Sequence, residues 1–233
     1  MKTKKVLLLI CLLAFFNVRG RSETILLPLT KTNDWQFLSY RKIPPNTFRA
    51  TPEELEIGIT NSAAPAIFPL KGFPQVTELR VTGKISGSLK LPPKKQGEKG
   101  FDDYTVRVGL VESGERTLSW RERHFGPDWV KRLFSLAPDG TGIRQIRFFN
   151  VGTEPRQIGA TRQHPLSELM KETVVAVPDA SGQFSFTNKF SSPIKTLAVW
   201  ISCDGDDTKS SFTVVLTKIE LLTKDAPESS QGK

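Results

Sequence analysis

Acidic residues gather at two places where chemistry is conceivable. Asp102-Asp103 opens one alternating run, and Asp204-Gly205-Asp206-Asp207-Thr208 closes another. Two carboxyl groups facing each other across roughly 5 to 9.5 Å can cleave a glycosidic bond, one as acid and the other as base or nucleophile. Two strand-end acidic pairs meeting at one rim of a sandwich would supply such a pair. The simpler account is that Asp ends strands because its side chain accepts from nearby backbone N–H groups. Asp204, Asp206 and Asp207 are also the candidate metal ligands, because Ca²⁺ takes six to eight oxygens from carboxylates and carbonyls. Their spacing is not that of an EF-hand, which needs acids at alternate positions and a distal Glu. No other cofactor is expected. A turn whose acids are offset by Lys209 or by an Arg such as Arg107 is preferred over a cation site.

Other catalytic patterns are weak. His124 and His164 are forty residues apart, so no local metal motif exists. His124 reads as a surface residue and His164 as a helix cap. No Gly-x-Ser-x-Gly elbow is present. No catalytic residue is assigned, and the balance leans away from an enzyme. Aromatic side chains favour binding instead, since flat rings can lie against sugar faces while Asp and Arg bond hydroxyls. Trp200 lies in an apolar run and reads as core, and Trp129 adjoins a helix stripe. Trp120, set among Ser119, Arg121, Glu122 and Arg123, is the best surface ring. The candidate ligand-binding residues are therefore Trp120, Tyr104, Asp103 and Arg107.

The elements that must position these residues are mainly β. Runs suited to strands are Thr24–Leu29, Trp35–Tyr40, Glu56–Thr60, Val76–Ile85, Tyr104–Val111, Ile143–Val151, Thr173–Val177, Gly182–Thr187, Thr196–Cys203 and Phe212–Leu222. Several alternate with period two, the mark of antiparallel strands with one buried and one wet face. Pro and Gly clusters separate them. Two short helices are predicted. Pro127–Leu136 has a stripe of Val130, Leu133, Phe134 and Ala137, and Pro165–Lys171 has Leu166, Leu169 and Met170. They would sit on a sheet edge or cap an end. The expected fold is a two-sheet antiparallel sandwich, a jelly roll, with two short helices. Asp204 to Thr208 is expected to join two adjacent antiparallel strands, with Gly205 supplying backbone freedom.

Lys2, Lys4 and Lys5 precede the apolar run Val6 to Phe16, and Val18-Arg19-Gly20 suits a signal peptidase. Eleven residues rise only about 16 Å as a helix, too short for a hydrocarbon core about 30 Å thick. Residues 1–20 are therefore read as a signal peptide and 21–224 as one β-sandwich domain. Residues 225–233 are read as a disordered tail and Arg21 to Thr24 as a mobile leader. The expected location is periplasmic or secreted, with no transmembrane anchor after signal removal. Four positive groups lie in the first 20 residues, so a formal charge of +9 falls to about +5. That is not a nucleic-acid footprint. The basic loop Lys94, Lys95, Lys99 reads as a solvated turn. Cys203 remains as the one thiol beyond the signal, read as buried and inert.

Four stretches resemble an exported bacterial family known only as a domain of unknown function, of jelly-roll, galactose-binding-like type. They are Trp35-Gln36-Phe37 with Ile43 and Thr47, Leu79 to Ile85, Asp102 to Val108, and Val199 to Thr208 with the strand ending Lys218-Ile219-Glu220. Where that family is tryptophan-rich, this chain has Val81 and Gly83, and Glu122 to Glu172 has no counterpart. The resemblance implies export and a sandwich, and no activity. The function expected is a non-catalytic exported domain that binds a glycan or another envelope component. The alternatives are a polysaccharide-acting enzyme with a carboxylate pair, or an interaction domain without a small ligand.

Overall fold

The computed structural model describes residues 22–92, 95–98, 100–165 and 167–224. The expected signal peptide, the C-terminal tail, Lys94, Lys99 and Leu166 lie outside the described residues. The strands are β1 (Ser22–Leu26), β2 (Gln36–Phe37), β3 (Thr47–Ala50), β4 (Leu55–Thr60), β5 (Ala63–Pro69), β6 (Gln75–Ser88), β7 (Val106–Gly114), β8 (Gly142–Val151), β9 (Thr161–Gln163), β10 (Met170–Ala176), β11 (Gln183–Asp204) and β12 (Ser211–Lys224). Helices α1 (Trp120–Phe125) and α2 (Asp128–Phe134) lie between β7 and β8.

Period two shows plainly in β6, where Leu79, Val81 and Ile85 point into the core and Arg80, Thr82 and Lys84 reach outward. One sheet has the order β3-β4-β12-β6-β11, with β1 beside the far end of β12. The other has the order β2-β5-β11-β7-β8-β10-β9. β11 belongs to both. Its first part pairs with β6, then the register jumps between Lys189 and Ile194, and its second part pairs with β5 and β7. A straight strand of 22 residues would run about 70 Å, far more than a domain of this size spans, so it has to bend. Ser191-Ser192-Pro193 fall in the unpaired interval. The main core, including Leu79, Val108, Phe149, Val199 and Leu216, lies between the sheets.

The two-sheet sandwich of jelly-roll type is as expected, with several differences. The pair β8–β10 is parallel, not antiparallel. β7 has no wet face, because α2 covers the outer side of its sheet. Val130, Leu133 and Phe134 of α2 pack there with Ile67, Ile143, Ile146, Phe148 and Trp200, each large apolar side chain contributing about 2 kcal/mol by burial. Gly109 lies opposite Trp200 on β11 and Phe148 on β8. A Cβ on Gly109 would meet Phe148 Cε1 at 2.7 Å, so the glycine makes room for two rings that meet edge-on at 6.2 Å.

Among the described residues there are two α-helices, and neither lies at Pro165–Lys171. That segment turns, with the His164 N–H donating to the Met170 carbonyl at 2.9 Å, and Met170 already begins β10. The unexpected helix is α1, whose Ser119 and Glu122 form a capping box. Ser22 to Thr24 is not a mobile leader but pairs with Leu222 to Lys224. Asp204 to Thr208 crosses from one sheet to the other, because the second part of β11 and β12 lie in different sheets. Gly205 has no left-handed backbone there. It is needed for space, since a Cβ would meet Ile59 Cγ2 at 2.9 Å.

Candidate binding cleft

Antiparallel pairing of β7 with β11 puts the start of one strand beside the end of the other. The register Arg107↔Ser202 continues outward to a hydrogen bond from the Asp204 N–H to the Tyr104 carbonyl at 3.0 Å. Asp102-Asp103 and Asp204 to Asp207 therefore share one end of the sandwich, as strand-end pairing would have it. Thr208 fixes the crossing loop: its N–H and Oγ1 donate to Asp103 Oδ2 at 2.8 and 2.6 Å. A cleft of about 410 Å³ opens above these acids. Asp102, Asp103, Asp204, Asp206 and Asp207 line it, with His164 from the turn before β10 and Met170. Tyr40 and Ile43, between β2 and β3, and Trp129 of α2 complete its apolar wall. Trp129 stands edge-on to the fully buried Trp200 at 5.9 Å.

Beneath the cleft lies a buried ionic cluster. Arg107 Nε meets Glu172 Oε1 at 2.8 Å, with the two side chains 4% and 1% exposed. The same guanidinium binds the Asp204 carboxylate and the Asp102 carbonyl. Arg162 Nε takes the other Glu172 oxygen at 2.6 Å. The Tyr104 ring lies 4.9 Å from the Arg107 guanidinium and 5.5 Å from that of Arg162. Burial pushes the Glu172 carboxyl up, but Arg107 and Arg162 outweigh it and hold it below its usual range. Arg107 is thus fully engaged, by Glu172 beneath the cleft and by Asp204 and Asp102 at its lining.

The upper acids are handled differently. Burial, then a hydrogen bond with Asp102 and the charges of Asp102, Asp103 and Asp206, push Asp207 up to about 7. Burial and the charge of Asp103 also raise Asp206. His164 Nε2 stands 3.3 Å from Asp102 Oδ2, and burial, then Arg107, lowers its pKa. Burial raises the Tyr40 phenol to about 12. The cleft therefore presents neutral and anionic oxygens against two aromatic rings. It holds a proton near neutral pH at Asp207.

The sequence-based residues divide accordingly. Asp103, Tyr104 and Arg107 converge, but at the floor: each is almost fully buried. Tyr104 also borders a second cavity of about 340 Å³ with Arg162 and Glu172. Trp120 is at the surface, 65% exposed, on α1 and not in the cleft. Asp204 is committed to Arg107 and to Ser202, whose Oγ donates to Oδ1 at 2.6 Å. Among the described residues no three His, Cys, Asp or Glu side chains converge at metal-ligand spacing. Tyr40, Arg162 and Glu172 were not assigned a role in advance, Trp129 was read only as the neighbour of a helix stripe, and His164, read as a helix cap, precedes a turn and lines the cleft instead. The alternation of β10 carries a charge at Glu172 on its apolar face, and that was the readable signal.

No family model matches the chain, and comparison with curated proteins finds no match. Similar solved structures include a family 11 carbohydrate-binding module from Clostridium thermocellum in complex with a β-1,3-1,4-mixed-linked tetrasaccharide, at 10% identity and a TM-score of 0.43 over 86% of this chain and 96% of that one. A family 11 module of a cellulosomal cellulase of the same organism is 8% identical, with a TM-score of 0.42 over 90% and 98% of the two chains. An exo-β-agarase is 9% identical, with a TM-score of 0.32 over 88% of this chain and 25% of that one.

Proposed function

We propose that this chain is an exported domain that binds a glycan in the acidic cleft without acting on it. The observation that carries the reading is the meeting of Tyr40 and Trp129 with the carboxyl groups of Asp103, Asp206 and Asp207 around one opening. A sugar offers an apolar C–H face to aromatic rings and hydroxyl donors to carboxyl oxygens, so it satisfies both halves of the lining. A wholly apolar ligand would strand the carboxylates, and an anionic one would be repelled. A glycan-array screen of residues 21–233, with and without Ca²⁺, tests this. Neutral oligosaccharides should bind. Trp129→Ala and Asp206→Asn should each weaken binding, by about tenfold for a loss near 1.4 kcal/mol. Unchanged binding in both variants would remove the cleft from consideration. Export is tested by the mass of the natural protein, which should begin within a few residues of Arg21.

One observation favours a second reading, action on polysaccharide. Asp207, raised to about 7, is a proton donor at neutral pH of the kind general acid catalysis requires. Its hydrogen-bonded partner Asp102 is too close to flank a glycosidic bond with it, and Asp103 is buried and held by Thr208, so the second carboxylate would be Asp206. Reducing-end release from a bound oligosaccharide, abolished by Asp207→Asn while binding persists, would establish this reading over the first.

A further inference from the structure

α1 buries none of its residues, which is unusual for a helix that carries two large aromatic side chains. Trp120 is 65% and Phe125 78% exposed. A capping box and the Arg116–Glu122 ion pair at 3.0 Å hold the helix instead. With about 100° between successive residues, Trp120, His124, Arg121 and Phe125 fall in that order along one arc of about 140°. Glu122 and Arg123 lie outside it, tied back to Arg116 and to the Leu118 carbonyl. The rings of Trp120 and His124 are tilted by 34° with centroids 4.6 Å apart, and Phe125 meets Trp120 edge-on at 5.8 Å. The arc therefore carries three neighbouring rings, with Arg121 between His124 and Phe125 in helical angle.

We propose that this ridge of rings is a docking face for an anionic lipid surface. Charge complementarity selects the occupant: residues 115–125 carry Arg116, Arg121 and Arg123 against Glu115 and Glu122, and Arg121 is the charge that falls on the arc. Trp and Phe beside Arg are what an interfacial helix presents, with rings among the headgroups and acyl chains and cations on the phosphates. The ridge is separate from the acidic cleft, and neither proposal depends on the other.

The test is co-sedimentation of the full chain with vesicles of phosphatidylcholine alone, and of phosphatidylcholine with about one third phosphatidylglycerol. The apolar run at residues 6–16 is common to every protein compared, so the readout is the difference between wild type and variant. All substitutions are at exposed positions, and unchanged circular dichroism and melting verify the fold. Trp120→Ala with Phe125→Ala should weaken partitioning onto the anionic vesicles on the order of tenfold, and Arg121→Glu by a similar factor. Bromine-labelled lipid should quench tryptophan emission in the wild type and much less in Trp120→Phe. Equal partitioning of wild type and variants, equal binding to the neutral vesicles, or quenching unaffected by Trp120→Phe would each overturn the proposal. Binding of soluble dextran sulfate that falls as steeply in the double variant would assign the ridge to a polyanionic glycan and overturn it too.

Discussion

Replacing Asp207 with Asn should stabilise the protein, and only where the pH is high enough to ionise the native carboxyl. The folded chain raises Asp207 from the ordinary value of 3.8 to about 7, so between those values the folded state holds a proton that the unfolded state has released. Stability then falls as pH rises through that window, since the slope follows the difference in bound protons, unfolded minus folded. The full separation would correspond to about 4 kcal/mol. Asp207 is only partly withdrawn from water, and solvent screening reduces this to on the order of 1 kcal/mol. Asn cannot ionise and can donate to Asp102. We therefore expect Asp207→Asn to be more stable than wild type by about 1 kcal/mol at pH 8, a rise of roughly 2–4 °C in Tm. The gap should shrink as pH falls and vanish near the ordinary carboxyl range. Urea unfolding of both proteins at several pH values measures it. A variant less stable at pH 8, or a gap that does not change with pH, would refute the account of the cleft acids given above.

Three further outcomes follow from the same cluster and its surroundings. Glu172→Gln leaves Arg107 buried with one partner fewer and should cost about 3 kcal/mol in urea unfolding. A loss below about 0.5 kcal/mol would mean the pair is not desolvated as drawn. Cys203 is 1% exposed and burial pushes its thiol well up, so a small thiol reagent should modify it only on unfolding; rapid native labelling would contradict its place in the core. Because Asp204 is held by Arg107, millimolar Ca²⁺ should move Tm by no more than about 1 °C, whereas a larger rise that Asp206→Ala removes would make the acids calcium ligands.

How far the sequence reached depended on whether the deciding contact was local. Alternation found β6 and β12, and the Val130, Leu133, Phe134 stripe found α2, because each pattern answers to a single flanking surface. β5, which contains Pro65 and Pro69, was not among the expected strands. The two prolines are tolerated because the side of β5 away from β11 is paired only at Ala66 and Ile67, while the Pro65 carbonyl still accepts from Leu38. Leu166, Leu169 and Met170 have helical spacing, yet the last two are buried under a turn and the head of β10. There, pairing with β8 and β9 overrode a weak local preference. The acids of the cleft were legible as two groups at strand ends. Their meeting with Tyr40, Trp129 and His164 was not, since it depends on which strands are neighbours. Arg107 was named with Lys209 among the basic side chains that could offset the acidic loop, but its second carboxylate, Glu172, lies 65 residues away and no local pattern announces it.

A strand shared by both sheets leaves the sandwich without a seam. In many two-sheet folds one layer can open while the other persists, because only side chains join them. Here the backbone of β11 is hydrogen-bonded into both layers, to β6 along one stretch and to β5 and β7 along the next. Detaching either layer pulls on the same peptide ladder. Amide protons along β11 are accordingly expected to exchange with solvent through one global opening, at similar rates on either side of the bend, and not as two separable units. The crossing loop that carries the acids begins at the end of this strand, so the geometry of the cleft is tied to the stability of the whole fold.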